Sequence, residues 1–117
     1  MVSPTTDVRR DTILVVDDTP ETLGFITDTL DLAGFTVLIA TDGESALRLL
    51  GQITPDLILM DAVMPGLNGF ETCRRLKKER AFTHLPVIFM TGLSDTENVL
   101  EGPAAGGVDY VPTPLVV

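Results

Sequence analysis

At 117 residues and a 44% hydrophobic fraction, the chain can bury about two-thirds of its unfolded surface in one domain, which excludes general disorder and any need for disulfide or metal staples. Eight Lys plus Arg against 17 Asp plus Glu leave a formal charge of −9, which argues against direct binding to nucleic acid or to an anionic membrane surface, since both recruit clustered bases. One Cys allows no internal disulfide, and no basic-plus-apolar leader or apolar run of about 18 residues is present, so the expected setting is cytoplasmic.

Residues 1–11 read as a flexible leader with a solvated Arg9-Arg10 pair, and residues 12–117 as the domain. Five apolar runs follow at regular spacing: Ile13–Val16, Val37–Ile39, Leu57–Met60, Val87–Met90 and Val108–Val111. Their hydrophobicity is continuous rather than alternating, as in strands covered on both faces of a parallel sheet. Helical spacing fills the intervals. Pro20–Ala33 sets Leu23, Ile26, Leu30 and Ala33 on one stripe, with Thr19 as expected N-cap, Pro20 at the first position and Gly34 as terminator. Residues 44–51 group Ala46, Leu47 and Leu50; residues 67–79 group Phe70, Cys73 and Leu76, with Arg74, Arg75, Lys77 and Lys78 largely on the wet side. Ser94–Ala105 reads as a weaker helix shortened or kinked at Gly102-Pro103. The alternation predicts an α/β doubly wound domain with right-handed crossovers.

In parallel α/β sheets ligands gather beyond the C-terminal ends of the strands. The first run leads into Asp17-Asp18, the third ends at Asp61 and the fourth at Thr91. One acidic residue at a strand end is ordinarily a cap or a solvated turn, but carboxylates from different strands at one rim repel each other unless a cation or proton offsets them. Mg²⁺, a hard cation that keeps waters and takes one or two carboxylates, suits the need.

Asp17-Asp18, the segment Asp61-Ala62-Val63-Met64-Pro65-Gly66, Thr91-Gly92 after the fourth strand and Asp109-Tyr110 in the fifth together resemble the receiver domains of two-component response regulators, over roughly residues 12–115. The resemblance implies a flavodoxin-like five-stranded parallel sheet in the order 2-1-3-4-5. It implies that Asp61 is the phosphoacceptor, attacking the phosphohistidine of a histidine kinase or phosphotransfer protein in a phosphorelay. Asp18, Asp61, the backbone carbonyl of Val63 and, through water, Asp17 would hold Mg²⁺. Thr91 would hydrogen-bond a phosphoryl oxygen, and Tyr110 would be the switch aromatic. Such a domain is a signalling module rather than an enzyme, with any Mg²⁺-dependent autodephosphorylation incidental.

Two features depart from that pattern. Receiver domains carry a lysine three residues after the switch aromatic and just before a proline; here Thr113 stands there, followed by Pro114, and no lysine follows Lys78. A threonine offers one neutral hydrogen bond and no charge to phosphoryl oxygens. The chain also ends near where the family's fifth helix begins, so that helix is expected to be lacking. Its loss would partly uncover Val108, Tyr110 and neighbouring strand residues on the side of the first helix, favouring a homodimer, a swapped segment or cover by a following output domain. The alternative function is accordingly a degenerate receiver acting as an interaction or dimerisation module with impaired switching.

Cys73 reads as a small core residue, His84 as a solvated loop residue, and the basic run from Arg74 to Arg80 as a wet helix face. Pro65-Gly66 and Asn68-Gly69 give a turn free to move. An aspartyl phosphohydrolase is disfavoured because Asp17 and Asp18 are adjacent rather than two apart and no lysine stands at the site. Flavin binding is disfavoured because acidic residues, not an anion cradle, follow the first strand.

Overall fold

Ile13, Leu14, Val15 and Val16 are all buried, the two-sided cover that a continuous apolar run needs, and they form the centre of a parallel sheet. In the computed structural model the backbone is described for residues 11–92 and 109–113, and side chains for residues 11–90. The elements are β1 (Thr12–Val16), α1 (Pro20–Leu32), β2 (Thr36–Ala40), α2 (Gly43–Leu50), β3 (Leu57–Asp61), α3 (Gly69–Lys77), a 3₁₀ turn (Arg80–Phe82), β4 (Val87–Gly92) and β5 (Asp109–Thr113). Every pairing is parallel and the order is β2-β1-β3-β4-β5, the expected flavodoxin-like arrangement. The leader through residue 10, the helix expected over Ser94–Ala105, Val108 and the chain end beyond Thr113 lie outside the described residues, and so does the question of a fifth helix.

Two cores flank the sheet. On one face Leu14, Val16, Ile58, Met60, Val87 and Phe89 pack against Ala46 and Leu50 of α2 and Phe70, Cys73 and Leu76 of α3. The Phe70 and Phe89 rings meet at 4.7 Å and 50°, a tilted aromatic pair. On the other face Ile13, Val15 and Met90 pack against Ile26 of α1, with Leu23 and Leu30 half-buried beside it. Among the described residues α1 is the helix on that face, and Leu57 and Leu59 of β3 are only half-buried there. The uncovering expected at Val108 and Tyr110 falls on side chains that lie outside those described.

Helix ends follow local chemistry more closely than periodicity. Asp42 caps α2 by accepting the Ser45 amide at 2.7 Å, so the helix starts at Gly43. The Ser45 amide holds the Asp42 carboxyl below its usual range. Asn68 caps α3 by accepting the Glu71 amide at 2.9 Å, which starts α3 at Gly69 rather than residue 67. Thr19 stands at the N-cap of α1, but its side chain makes no cap bond. Ala33 is exposed at the C-cap rather than on the apolar stripe, and Gly34 turns the chain with φ of 98°.

The basic run is more than a wet face. The Lys77 ammonium donates to the carbonyls of Phe82 at 3.2 Å, Thr83 at 3.4 Å and Leu85, tying the 3₁₀ turn to the end of α3. Cys73 is fully buried, and burial pushes its thiol up to about 11, as a core residue requires. His84 is exposed in its loop. No helix among the described residues is long and apolar enough to cross a membrane.

Candidate functional site

The C-terminal ends of β1 and β3 are neighbours, so the residues that leave these strands must meet. Asp17 extends β1 by one step, its amide donating to the Ala40 carbonyl at 3.1 Å, and it is 3% exposed. Its Oδ1 accepts the Thr19 amide at 2.8 Å, which turns the chain into α1 and orients the carboxylate. Asp18 follows, exposed. Asp61 is the last residue of β3, half-buried, and its Oδ1 accepts the Val63 amide at 3.2 Å. One carboxylate oxygen from each of Asp17, Asp18 and Asp61 lies within 4.8 Å of the others.

Such crowding has an electrostatic signature. Burial first, then the neighbouring Asp17 charge, pushes the Asp61 carboxyl up to about 7, against the opposing hydrogen bond from the Val63 amide. Burial and Asp18 likewise raise Asp17 despite its bond from Thr19. The cluster therefore favours a proton or cation at neutral pH. Its donors are all carboxylate oxygens, the set a hard divalent cation takes, so the residues fit Mg²⁺.

The sheet register brings the other expected residues to the same end by their backbones. Asp61 is level with Met90, and Thr91 is one step beyond it, opposite Pro112. Thr113 is opposite Gly92, and Tyr110 is opposite Phe89, nearer the middle of the strand. Val63 is 54% exposed beside Asp61.

The segment after Asp61 is tied down rather than free. The Ala62 amide donates to the Met90 carbonyl at 3.1 Å and the Gly69 amide to the Ala62 carbonyl at 3.0 Å. Thr72 donates its hydroxyl to the Asn68 carbonyl at 2.8 Å. Asn68 and Gly69, read from sequence only as a turn, thus anchor α3 against the phosphoacceptor candidate. The signal was present as Asn68 three residues before Glu71, a cap pattern at the start of an apolar stripe. Asn68→Ala should cost about 1 kcal/mol in urea unfolding, and Asn68→Asp close to nothing, because aspartate caps equally well.

A family model described as the response regulator receiver domain matches residues 13–116. The DNA-binding response regulator MtrA of Mycolicibacterium smegmatis is 39% identical over 109 residues, covering 93% of this chain and 46% of that protein. Among solved structures, chemotaxis response regulator CheY4 of Vibrio cholerae superposes with a TM-score of 0.86 at 28% identity, covering 92% of this chain and 89% of that one. A Francisella response regulator receiver domain gives 0.81 at 33% identity, covering 92% and 87%. The chain spans less than half the length of the curated relatives it matches.

Proposed function

We propose, since the chain belongs to the response regulator receiver family, that Asp61 accepts a phosphoryl group from the phosphohistidine of a histidine kinase or phosphotransfer protein. The observation that carries this reading is the meeting of Asp17, Asp18 and Asp61 oxygens within 4.8 Å at the end of β3. In the step, an Asp61 carboxylate oxygen forms the new O–P bond as the N–P bond of the donor breaks. The imidazole nitrogen keeps the bonding pair and takes up a proton. The attack needs Asp61 ionised, and at about 7 its carboxyl is only partly so at neutral pH.

Mg²⁺ held by Asp18, Asp61 and the Val63 carbonyl, with Asp17 through water, would favour that ionised form and neutralise phosphoryl oxygen charge. Asp17 orients the acidic cluster through its bond from Thr19. Thr91 supplies a hydroxyl for a phosphoryl oxygen, and Tyr110 repacks in response. The phosphorylated domain then acts on an output domain or protein. MtrA is named as a DNA-binding regulator, and for this chain any such output belongs to a partner or a further domain. The second reading, a receiver that binds partners with weakened switching, is favoured by Thr113 at the position expected to carry a lysine.

Mass spectrometry after treatment with acetyl phosphate and Mg²⁺ tests both. The wild type should gain one phosphoryl group and Asp61→Asn none. No gain on the wild type moves the conclusion to the second reading. Thr113→Lys should raise the yield or the spectral response to beryllofluoride; a lysine that changes neither removes Thr113 as the cause of weakened coupling.

A further inference from the structure

We propose that Thr72 is a positioning residue for Asp61, acting through a hydrogen-bond relay that crosses two peptide units; the role rests on the reading of Asp61 as the phosphoacceptor. The Thr72 hydroxyl donates to the Asn68 carbonyl at 2.8 Å. That carbonyl shares its peptide unit with the Gly69 amide, which donates to the Ala62 carbonyl at 3.0 Å. The Ala62 carbonyl in turn shares its unit with the Val63 amide, which donates to Asp61 Oδ1 at 3.2 Å. Every link donates toward the carboxylate. Each unit is planar and stiff, so a tilt at one end moves the other, and successive bonds in such a chain polarise one another.

Stability alone does not call for a threonine here. Asp17 and Thr72 are the buried polar residues among those described, and Thr72 is fully buried within α3. Threonine is a poorer helix former than alanine, and a hydroxyl bonded back to the carbonyl four residues earlier adds little to a helix. The Asn68 carbonyl already accepts the Thr72 amide at 3.0 Å, so it keeps a donor without the hydroxyl. Gly43, the first residue of α2, is equally unexplained by its own helix, because no positive φ calls for glycine there. Space calls for it instead. A Cβ on Gly43 would lie 2.1 Å from Thr72 Oγ1, 3.0 Å from the Leu67 carbonyl oxygen and 3.2 Å from Leu67 Cδ2. Two residues that neither helix asks for thus fit against each other, the pattern of a position held for function.

The fit fixes the hydroxyl from both sides, with α2 as a wall behind it and the Asn68 carbonyl as its acceptor in front. The relay therefore begins at a point that cannot swing. Its far end holds Asp61 Oδ1, so the plane of the carboxylate is set before a phosphodonor arrives. A reacting group already oriented needs no further ordering in the transition state, and the supports that orient it set the rate without touching the substrate.

Two substitutions in the full chain separate the hydroxyl from the shape. Thr72→Val keeps the shape and removes the donor, whereas Thr72→Ser keeps the donor and removes a buried methyl group. Thr72→Val should leave the urea midpoint close to that of the wild type and slow labelling by acetyl phosphate and Mg²⁺ about three- to tenfold, the scale of one lost hydrogen bond. Thr72→Ser should lower the midpoint and keep the wild-type rate. A threonine that only fills space gives the reverse, with the rate following stability. A second readout needs neither phosphodonor nor metal: the amide proton resonances of Gly69 and Val63 should move upfield in Thr72→Val and stay in place in Thr72→Ser. If the wild type takes up no phosphoryl group, the reading of Asp61 fails and these two resonances alone decide the relay. Resonances that move in both variants or in neither overturn it. So does a valine variant labelled as fast as the wild type, or a serine variant slowed as much as the valine one.

Discussion

Asp61→Asn should stabilise the metal-free protein by about 1–3 kcal/mol at pH 8, while abolishing phosphoryl acceptance. The folded Asp61 carboxyl titrates at about 7, against an ordinary value of 3.8. Between those values the folded state binds more protons than the unfolded state, so stability falls as pH rises and the loss is complete once Asp61 ionises. Its causes are burial and the charges of Asp17 and Asp18, and an amide removes the charge on which both act. The magnitude is held below the full linkage value because Asp61 is only half-buried and water screens part of the repulsion.

At pH 4, where the wild-type carboxyl is already protonated, the difference between variant and wild type should nearly vanish. Adding Mg²⁺ at pH 8 should raise the wild type toward the variant, and should raise the variant much less because one carboxylate ligand is gone. Urea unfolding at both pH values, with and without Mg²⁺, measures all of this. A variant less stable than the wild type at pH 8 without metal would show that the cluster is not repulsive.

The strands were legible because burial on both faces writes itself as uninterrupted runs, as in Ile13–Val16, whereas their order came from the family resemblance, since a run does not say which strand lies beside it. The three carboxylates were legible because each stands at a strand end, where a parallel sheet gathers chemistry. What lay beyond reading from the sequence depends on contacts between distant segments. Nothing local in Lys77 announces that its ammonium will close on the turn at residues 82–85. Arg75 looked like a solvated base because α3 was read alone; beside Leu47 and Leu50 of α2 it becomes the rim of a groove. Leu32 lies off the stripe of Leu23, Ile26 and Leu30 that periodicity picks out, and it is 88% exposed. Asn68-Gly69 looked like a loose turn because turn chemistry and helix-cap chemistry use the same residue types.

Gly69→Ala should destabilise the fold by about 2–4 kcal/mol and slow phosphoryl acceptance at least tenfold in the protein that remains folded. A Cβ on Gly69 would lie 2.1 Å from the Asp61 carbonyl oxygen, 2.9 Å from its carbonyl carbon and 2.9 Å from Met60 Cγ. The first two are backbone atoms of β3, which is paired on both sides to β1 and β4 and cannot retreat cheaply. Nor is α3 free to back away, since the Thr72 hydroxyl lies where a Cβ on Gly43 of α2 would stand, so the two helices touch there. The strain therefore falls on the segment holding Asp61, and a displacement of even about 1 Å in a reacting group costs rate.

Gly66→Ala separates strain in general from strain at this spot. Gly66 has φ of 74° with nothing within 4 Å of a built Cβ, so alanine there should cost about 1–2 kcal/mol of backbone strain and leave the phosphorylation rate unchanged. Unfolding midpoints and acetyl phosphate kinetics on the two variants provide the comparison. Equal slowing in both would mean that the rate follows overall stability, whereas slowing in Gly69→Ala alone would tie it to the seat of α3 beneath Asp61.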